Sequence, residues 1–390
     1  MARLVYALCG YGRGHTSRAL AVTQTLRERG HEVSFACGGP GADRLRALGE
    51  AVLQVPALRQ VLRRNRVRLW ASARANLPLT WQSPEIIAQA ADALASHGVD
   101  LVIGDHEPFV PRAARRAGVP VVSLNHQQIL TETRCRVRPA HLLSAWGTAA
   151  GIAFIAPSQP ASVIVPTFFS PRLRRRSDAV LVPPILRDDV LASVATTGEH
   201  VLVYVNEGAG MEVLLRRFGQ LDASVVVYGL EATDAPANVT LRSPDRAGFL
   251  RDLAAARAVV ATAGFTLLSE ALHLGKPVLA LPNRGFFEQR VNAQYLASLG
   301  LGEQGASVPS ARAVAGFLDR AARYARPQAS RARGLAGRER AADQIERVLA
   351  GPAHAAGAAR PAAAGGGRFI QSAPLGNGDP LSSEIPSPAR

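Results

Sequence analysis

The chain has 390 residues, 47% of them hydrophobic, and carries a formal net charge of +15. At about 100–200 residues per domain this length suits two domains and a tail, and the apolar content excludes global disorder. No stretch of about 18 residues is free of charges and breakers, which excludes a membrane-spanning helix, and Cys9, Cys37 and Cys135 lack the paired spacing of a zinc or disulfide framework.

In chain order, Leu4–Cys9 is a short apolar run that leads straight into the glycine loop Gly10–His15. With no cleavage site behind it, it reads as a strand rather than a signal peptide. A helix follows from about His15 to Arg29, stopped by Gly30, and then a second strand, HEVSFAC. GADRLRALG gives a short helix and AVLQVPAL a third strand. Arg59–Arg74 (RQVLRRNRVRLWASAR) is the densest basic run, either a solvated helix face or an amphipathic patch for an anionic bilayer surface. Nucleic acid is disfavoured, because aromatics are only 5% of the chain, too few for base-stacking platforms. Ser83 is placed as an N-cap, with Pro84 opening a helix that runs to Ser96. The strand VDLVIGD, a helix over Phe109–Ala117 and the strand VPVVSLN continue the alternation, which implies a mostly parallel sheet with crossover helices.

AVLVPPILRDDV, with its prolines and aspartates, reads as a connector between an N-terminal domain, 1–185, and a second domain, 186–350. The second repeats the pattern: strand HVLVYVN, helix Met211–Phe218, strands SVVVYG and NVTLR, helix Asp245–Ala255, strand AVVATA, helix Phe265–Leu274, strand PVLALP and helix Phe286–Leu299. The expected fold class is therefore α/β, with two Rossmann-like doubly wound domains. Residues 351–390, rich in Ala, Gly, Pro and Ser, hold too little patterned apolar content to offset their ordering entropy and are expected to form a disordered tail.

Ligands of open parallel sheets bind beyond the carboxyl ends of the strands. After the first strand, Gly10, Gly12 and Gly14 alternate before His15, allowing a tight turn and presenting free helix amides to an anion. The second strand closes on Cys37-Gly38-Gly39 rather than on an acid, which disfavours a redox dinucleotide domain. His15 is either a surface histidine or a cleft base. Asp105-His106-Glu107 puts two carboxylates and an imidazole at a strand end, suited to general-base work, to holding a sugar hydroxyl, or to capping the helix at Phe109. Asn125 and His126, followed by Gln127 and Gln128, add polar groups to the same rim.

In the second half, Ala263-Gly264-Phe265-Thr266 turns a buried strand into a helix whose first amides can cradle a diphosphate. Glu270, within the second turn, can accept hydrogen bonds from vicinal hydroxyls. Glu288, Gln289 and Asn292 follow at helical spacing. Asn206 and Gly208 offer a further amide cradle.

The segments GYGRGHTSRAL, FLRDLAAARAVVATAGFTLLSEALHLGKPVLALP and FFEQRVNAQYLASLG resemble the inverting glycosyltransferases of GT-B fold, whose two Rossmann-like domains face a cleft. The likeness is greatest to the N-acetylglucosaminyl transferases that complete the lipid-linked peptidoglycan precursor and to teichoic-acid-biosynthesis-like glycosyltransferases. The resemblance implies that Glu270 holds the donor ribose, that Phe249 and Leu250 line the base pocket, and that Gly264, Phe265 and Thr266 lie by the diphosphate, with Gly12 and Gly14 also among the donor-binding residues. It implies that Glu288 and Gln289, with Asn292 beside them, touch the transferred sugar. It places His15 and Asp105 on the acceptor side, with His15 near the phosphates or the attacking hydroxyl, and His106, Asn125 and His126 are expected on that side too. No metal and no cofactor are implied, and helix amides and arginines would stabilise the leaving diphosphate. The N-terminal loop lacks that enzyme's contiguous glycine pairs, and Asp105–Pro108 is not part of its pattern. The acceptor therefore differs, and the base stays open among His15, Asp105 and Glu107.

The expected activity is transfer of N-acetylglucosamine or another hexose from a UDP-sugar to a hydroxyl acceptor, with inversion, in cell-envelope glycan, glycolipid or secondary-metabolite synthesis. The expected location is cytoplasmic, peripheral on the inner membrane face. The rival expectations are a sugar-nucleotide 2-epimerase, which shares the fold, and a non-catalytic nucleotide-sugar-binding protein.

Overall fold

The computed structural model describes residues 1–59, 61–63, 66–67, 69–137, 139–157, 159–205, 211–229, 234–243 and 245–351. The tail expected to be disordered lies outside them from residue 352 onward.

The first half folds around strands β1 (Arg3–Leu8), β2 (Glu32–Cys37) and β3 (Val52–Gln54), a small antiparallel hairpin of β4 (Leu62–Arg63) and β5 (Arg66–Val67), and then β6 (Leu101–Asp105), β7 (Val121–Leu124), β8 (Ser162–Pro166) and β9 (Val180–Val182). Its helices are α1 (Arg13–Glu28), α2 (Gly39–Ala47), α3 (Leu69–Ser96), α4 (Val110–Arg116), α5 (Ile129–Glu132) and α6 (Leu142–Ile155). Seven strands form one parallel sheet in the order β3-β2-β1-β6-β7-β8-β9. Strands such as β6 and β7 are buried at every position, which is why they read as unbroken apolar runs rather than alternating ones.

The second half comprises α7 (Asp188–Ala192), β10 (Val201–Tyr204), α8 (Met211–Phe218), β11 (Val225–Tyr228), β12 (Val239–Arg242), α9 (Arg246–Ala255), β13 (Ala258–Thr262), α10 (Phe265–His273), β14 (Val278–Leu281), α11 (Phe287–Ser298), β15 (Gly302–Gln304), α12 (Ala311–Arg320) and α13 (Arg331–Leu349). Its parallel sheet runs β12-β11-β10-β13-β14-β15. Strand order reverses between β1 and β6 in one sheet and between β10 and β13 in the other. These are the switch points where such sheets open a crevice.

Three local expectations differ from the structure. The helix expected to open at Ser83 begins at Leu69 and runs through Pro78 and Pro84. Pro84 cannot donate to the Thr80 carbonyl, and the Ser83 hydroxyl takes that carbonyl instead at 2.9 Å, so the helix continues. The basic run Arg59–Arg74 is not one helix face: the described part divides between the β4–β5 hairpin and the start of α3, and residues 60, 64, 65 and 68 lie outside the described set. Finally α13, counted by chain order with the second domain, packs on the first. Its stripe Ala341, Ala342, Ile345 and Leu349 is buried in the core built on β1, β2 and α1. Arg29, capping the end of α1, binds Asp343 at 2.8 Å and Glu346 at 2.7 Å along the exposed edge of α13.

Candidate active site

Residues following β1, β6, β7, β10, β11, β13 and β14 line one cleft of about 1690 Å³ between the two sheets. Two helix N-termini meet across it. Gly12, at φ 82°, turns β1 into α1, and Gly264 turns β13 into α10; neither helix has a side-chain cap. A Cβ on Gly14 would lie 2.6 Å from Thr266 Oγ1, so any larger residue must turn that hydroxyl aside or part the two starts. Uncapped first-turn amides and two converging helix dipoles make this point receptive to an anion. Arg13 and Arg44 line the same wall. Arg44 binds the Gly12 carbonyl at 3.1 Å, while its Nε is buried without a partner among the described residues. Burial, and then the neighbouring Arg13, push its pKa down, as for a cation awaiting a counter-charge.

On the N-terminal wall, His15 Nδ1 lies 2.8 Å from Asp105 Oδ1. Asp105 is fully buried behind it and is also bound by Arg18 and, at 3.2 Å, by the Tyr6 hydroxyl. Burial would raise the Asp105 pKa, but Arg18 and His15 override it and hold the carboxyl at about 2. An ionised Asp105 accepts a hydrogen bond from His15 Nδ1–H and so leaves the Nε2 lone pair to the cleft, where the Gln127 amide lies at 3.4 Å. His106 stacks on His15 with centroids 6.1 Å apart; burial, and next the His15 charge, lower its pKa to about 4. Its φ of 58° is uncommon for a non-glycine residue.

On the other wall, Glu270 is buried, and its carboxylate accepts from Arg187 Nη2 at 3.2 Å. Burial pushes its pKa up against the pull of that arginine. Tyr204 and Tyr228 meet Phe249 edge-on at 5.6 and 5.0 Å, forming an aromatic recess. The walls also lock together: His126 Nε2 lies 2.8 Å from Asn292 Oδ1, and its ring stacks on Phe265 at 3.9 Å. Asn292 donates to Glu288 Oε1 at 3.1 Å, and Gln289 accepts from the Asn283 amide at 2.9 Å.

A profile of glycosyl transferase family 1 matches residues 2–322. The chain belongs to this family. This glycosyltransferase is 22% identical over 335 residues to an uncharacterized glycosyltransferase of Methanosarcina acetivorans, covering 77% of this chain and 84% of that one. Its fold is that of MurG from Acinetobacter baumannii (TM-score 0.55, 17% identity, 89% and 100% of the two chains) and of Arabidopsis thaliana UGT89C1, solved with UDP (TM-score 0.57, 16% identity, 90% and 98%). These likenesses establish a GT-B architecture.

Of the residues singled out from the sequence, Gly12, Gly14, His15, His106, His126, Phe249, Gly264, Phe265, Thr266, Glu270, Glu288 and Gln289 of the glycosyltransferase line the cleft. Asp105 and Asn292 stand one layer behind, each holding a cleft histidine. Three expectations are corrected. Glu107 is no cleft base: its carboxylate takes the amides of Phe109 at 3.0 Å and Val110 at 2.7 Å, capping α4. Asn125 is turned inward to Gln128 and Ser123 rather than to the rim. Leu250 packs in the core and leaves the recess to Phe249. Asn206 and Gly208 lie outside the described residues. Sequence reasoning missed Arg18, Arg187, Tyr204 and Tyr228. Arg18 alone had a local signal, one helical turn from His15 on the same face; the others come together only through the two sheets. Among the described residues, no group of three or more His, Cys, Asp or Glu side chains is placed to hold a metal ion.

Proposed function

We propose that this glycosyltransferase moves N-acetylglucosamine or another hexose from a UDP-sugar to a hydroxyl acceptor, with inversion and without metal. We further place it in cell-envelope glycan, glycolipid or secondary-metabolite synthesis. The observation that carries the reading is the meeting of two uncapped helix N-termini beside Arg13 and Arg44, opposite a histidine oriented by a buried aspartate.

In this reading His15 Nε2 takes the acceptor hydroxyl proton while the hydroxyl oxygen attacks the anomeric carbon. The bond from that carbon to the diphosphate oxygen breaks on the opposite face, and its electron pair leaves with UDP. Asp105 faces the imidazolium that forms, and Arg18 keeps Asp105 ionised and fixed. The first-turn amides of α10 and α1, with the two arginines, meet the charge gathering on the diphosphate, where fixed donors act most strongly. Glu270 takes the ribose hydroxyls and the Tyr204–Tyr228–Phe249 recess takes the base. The UDP held by the Arabidopsis neighbour supports the choice of nucleotide. Three free cysteines favour a reducing compartment, in keeping with a cytoplasmic protein peripheral on the inner membrane face.

The test is a thermal-shift screen of UDP-N-acetylglucosamine against other nucleotide sugars, followed by acceptor-dependent release of UDP. Bound donor stabilises by mass action, so UDP-sugars should raise the Tm most. Conversion of the UDP-sugar to its C2 epimer with no acceptor present would overturn the transfer reading in favour of an epimerase.

A further inference from the structure

Helix α6, LLSAWGTAAGIAFI, contains no charged residue, yet of its fourteen positions only Ile152 is buried. Leu143, Trp146 and Phe154 are 83%, 72% and 74% exposed. A helix apolar on all sides is normally enclosed by protein or lipid. On α3, Trp70, Leu77 and Trp81 recur at helical spacing along one exposed face, the two tryptophans 90% and 77% exposed. All three tryptophans of the chain therefore project from these two helices. Other faces of the same helices line the cleft, through Asn76, Thr80 and Ser83 of α3 and Gly147, Thr148 and Gly151 of α6. The exposed apolar groups thus crown the lips of the cleft on its acceptor side.

The surrounding charge says what covers them. Residues 51–84 and 133–177 contain arginines and no aspartate or glutamate. Arg74, Arg134 and Arg136 are exposed in these stretches. A second copy of the chain would bring arginines against arginines, whereas an anionic headgroup layer complements them. At about 1.5 Å per residue, α6 reaches only about 20 Å, short of the roughly 30 Å of a bilayer core. Among the described residues no helix is long and apolar enough to cross a membrane. Such a helix lies in the interface, with tryptophans at headgroup depth.

We infer that α6, with the Trp70–Trp81 face of α3, is a lipid-docking element that sets the cleft lips into an anionic bilayer surface. It extends the peripheral location proposed above to specific residues and is independent of the donor assignment.

The test uses the full chain with vesicles of phosphatidylcholine, with and without phosphatidylglycerol. Because the only tryptophans lie on the docking face, their emission should shift to the blue on binding the anionic vesicles, and added salt should reverse much of the shift. Leu143→Gln combined with Trp146→Gln removes exposed groups outside the cleft and should weaken vesicle partition at least about tenfold. The thermal shift given by UDP should stay unchanged in that variant. Equal binding to neutral vesicles, or unchanged partition of the double variant, would overturn the inference. So would tryptophan emission already blue-shifted in the free protein, which would mean that the chain itself or a second copy covers the face. Failure of the unaltered chain to bind anionic vesicles, with its UDP shift intact, would count against docking alone, and absence of the UDP shift against the donor reading alone.

Discussion

Arg18 and Asp105 form a buried two-point ion pair, Nε to Oδ2 at 2.9 Å and Nη2 to Oδ1 at 2.7 Å. The same Oδ1 lies 2.8 Å from His15 Nδ1. One carboxylate thus joins the interior of the first domain to the cleft, and its charge is kept by a buried arginine at the cleft floor. Removing Arg18 leaves that charge unpaired. Arg18→Ala should cost about 3–5 kcal/mol in urea unfolding. Adding Asp105→Asn should recover part of the loss, because the two positions act as a unit. A cost below about 1 kcal/mol would contradict the pairing.

His15→Ala should lower transfer by roughly 10²–10⁴-fold, the usual worth of a positioned general base. UDP affinity, measured calorimetrically, should stay within a factor of about two, because the donor contacts proposed lie on other groups. A large loss of UDP affinity would move His15 from the acceptor to the phosphates.

Glu270→Ala should weaken UDP binding by about 1–3 kcal/mol through loss of a charge-assisted ribose contact. The pairing with Arg187 adds a second consequence. The variant leaves Arg187, whose Nε is already buried without a partner among the described residues, with Asp189 at 3.2 Å in place of two carboxylates, so its Tm should fall as well. Arg187→Gln in the same background should restore Tm without restoring affinity.

Adjacent residues His106 and Glu107 pull stability in opposite directions with pH. Glu107 sits at about 7 in the fold against an ordinary 4.5, because burial disfavours its anion. The folded state keeps a proton that the unfolded chain gives up, so this group's contribution falls as pH rises from 4.5 toward 7. His106 sits at about 4 against 6.5, also through burial. The unfolded chain binds a proton that the fold refuses, so its contribution rises between pH 4 and 6.5. In His106→Asn, a residue tolerant of positive φ, stability should fall across this window by on the order of 1–3 kcal/mol relative to wild type. In Glu107→Gln it should rise. Denaturant midpoints from pH 4 to 8 distinguish the two.

Gly14 faces Thr266 across the cleft. An alanine asks only that the Thr266 hydroxyl rotate, but a branched side chain must separate the helix starts. Gly14→Val should therefore weaken UDP binding by about tenfold or more if the two N-termini share the diphosphate, with little change in urea stability. Retained affinity would show that α10 alone binds it.

Much of this was legible in the amino-acid sequence. Apolar runs broken at 4–9, 32–37, 101–105 and 258–262 specify parallel strands, because a strand buried on both faces has no alternation to hide. Glycines at 12, 14 and 264 mark helix starts, and His15, Asp105 and Glu270 stand at strand ends or in the turns beyond them. What sequence could not settle is which polar group faces the cleft. Glu107 and Asp105 are two residues apart and chemically alike; the direction of the backbone at His106 sends one to a helix cap and the other to His15. Arg187 and Tyr228 have no local signature of a site, since Glu270 and Phe249, which they meet in the cleft, lie far away along the chain. The lips of the cleft make the same point: α6 is legible as an apolar helix, but that it stays uncovered beside an arginine-rich surface is decided only when the sheets have packed and left it outside.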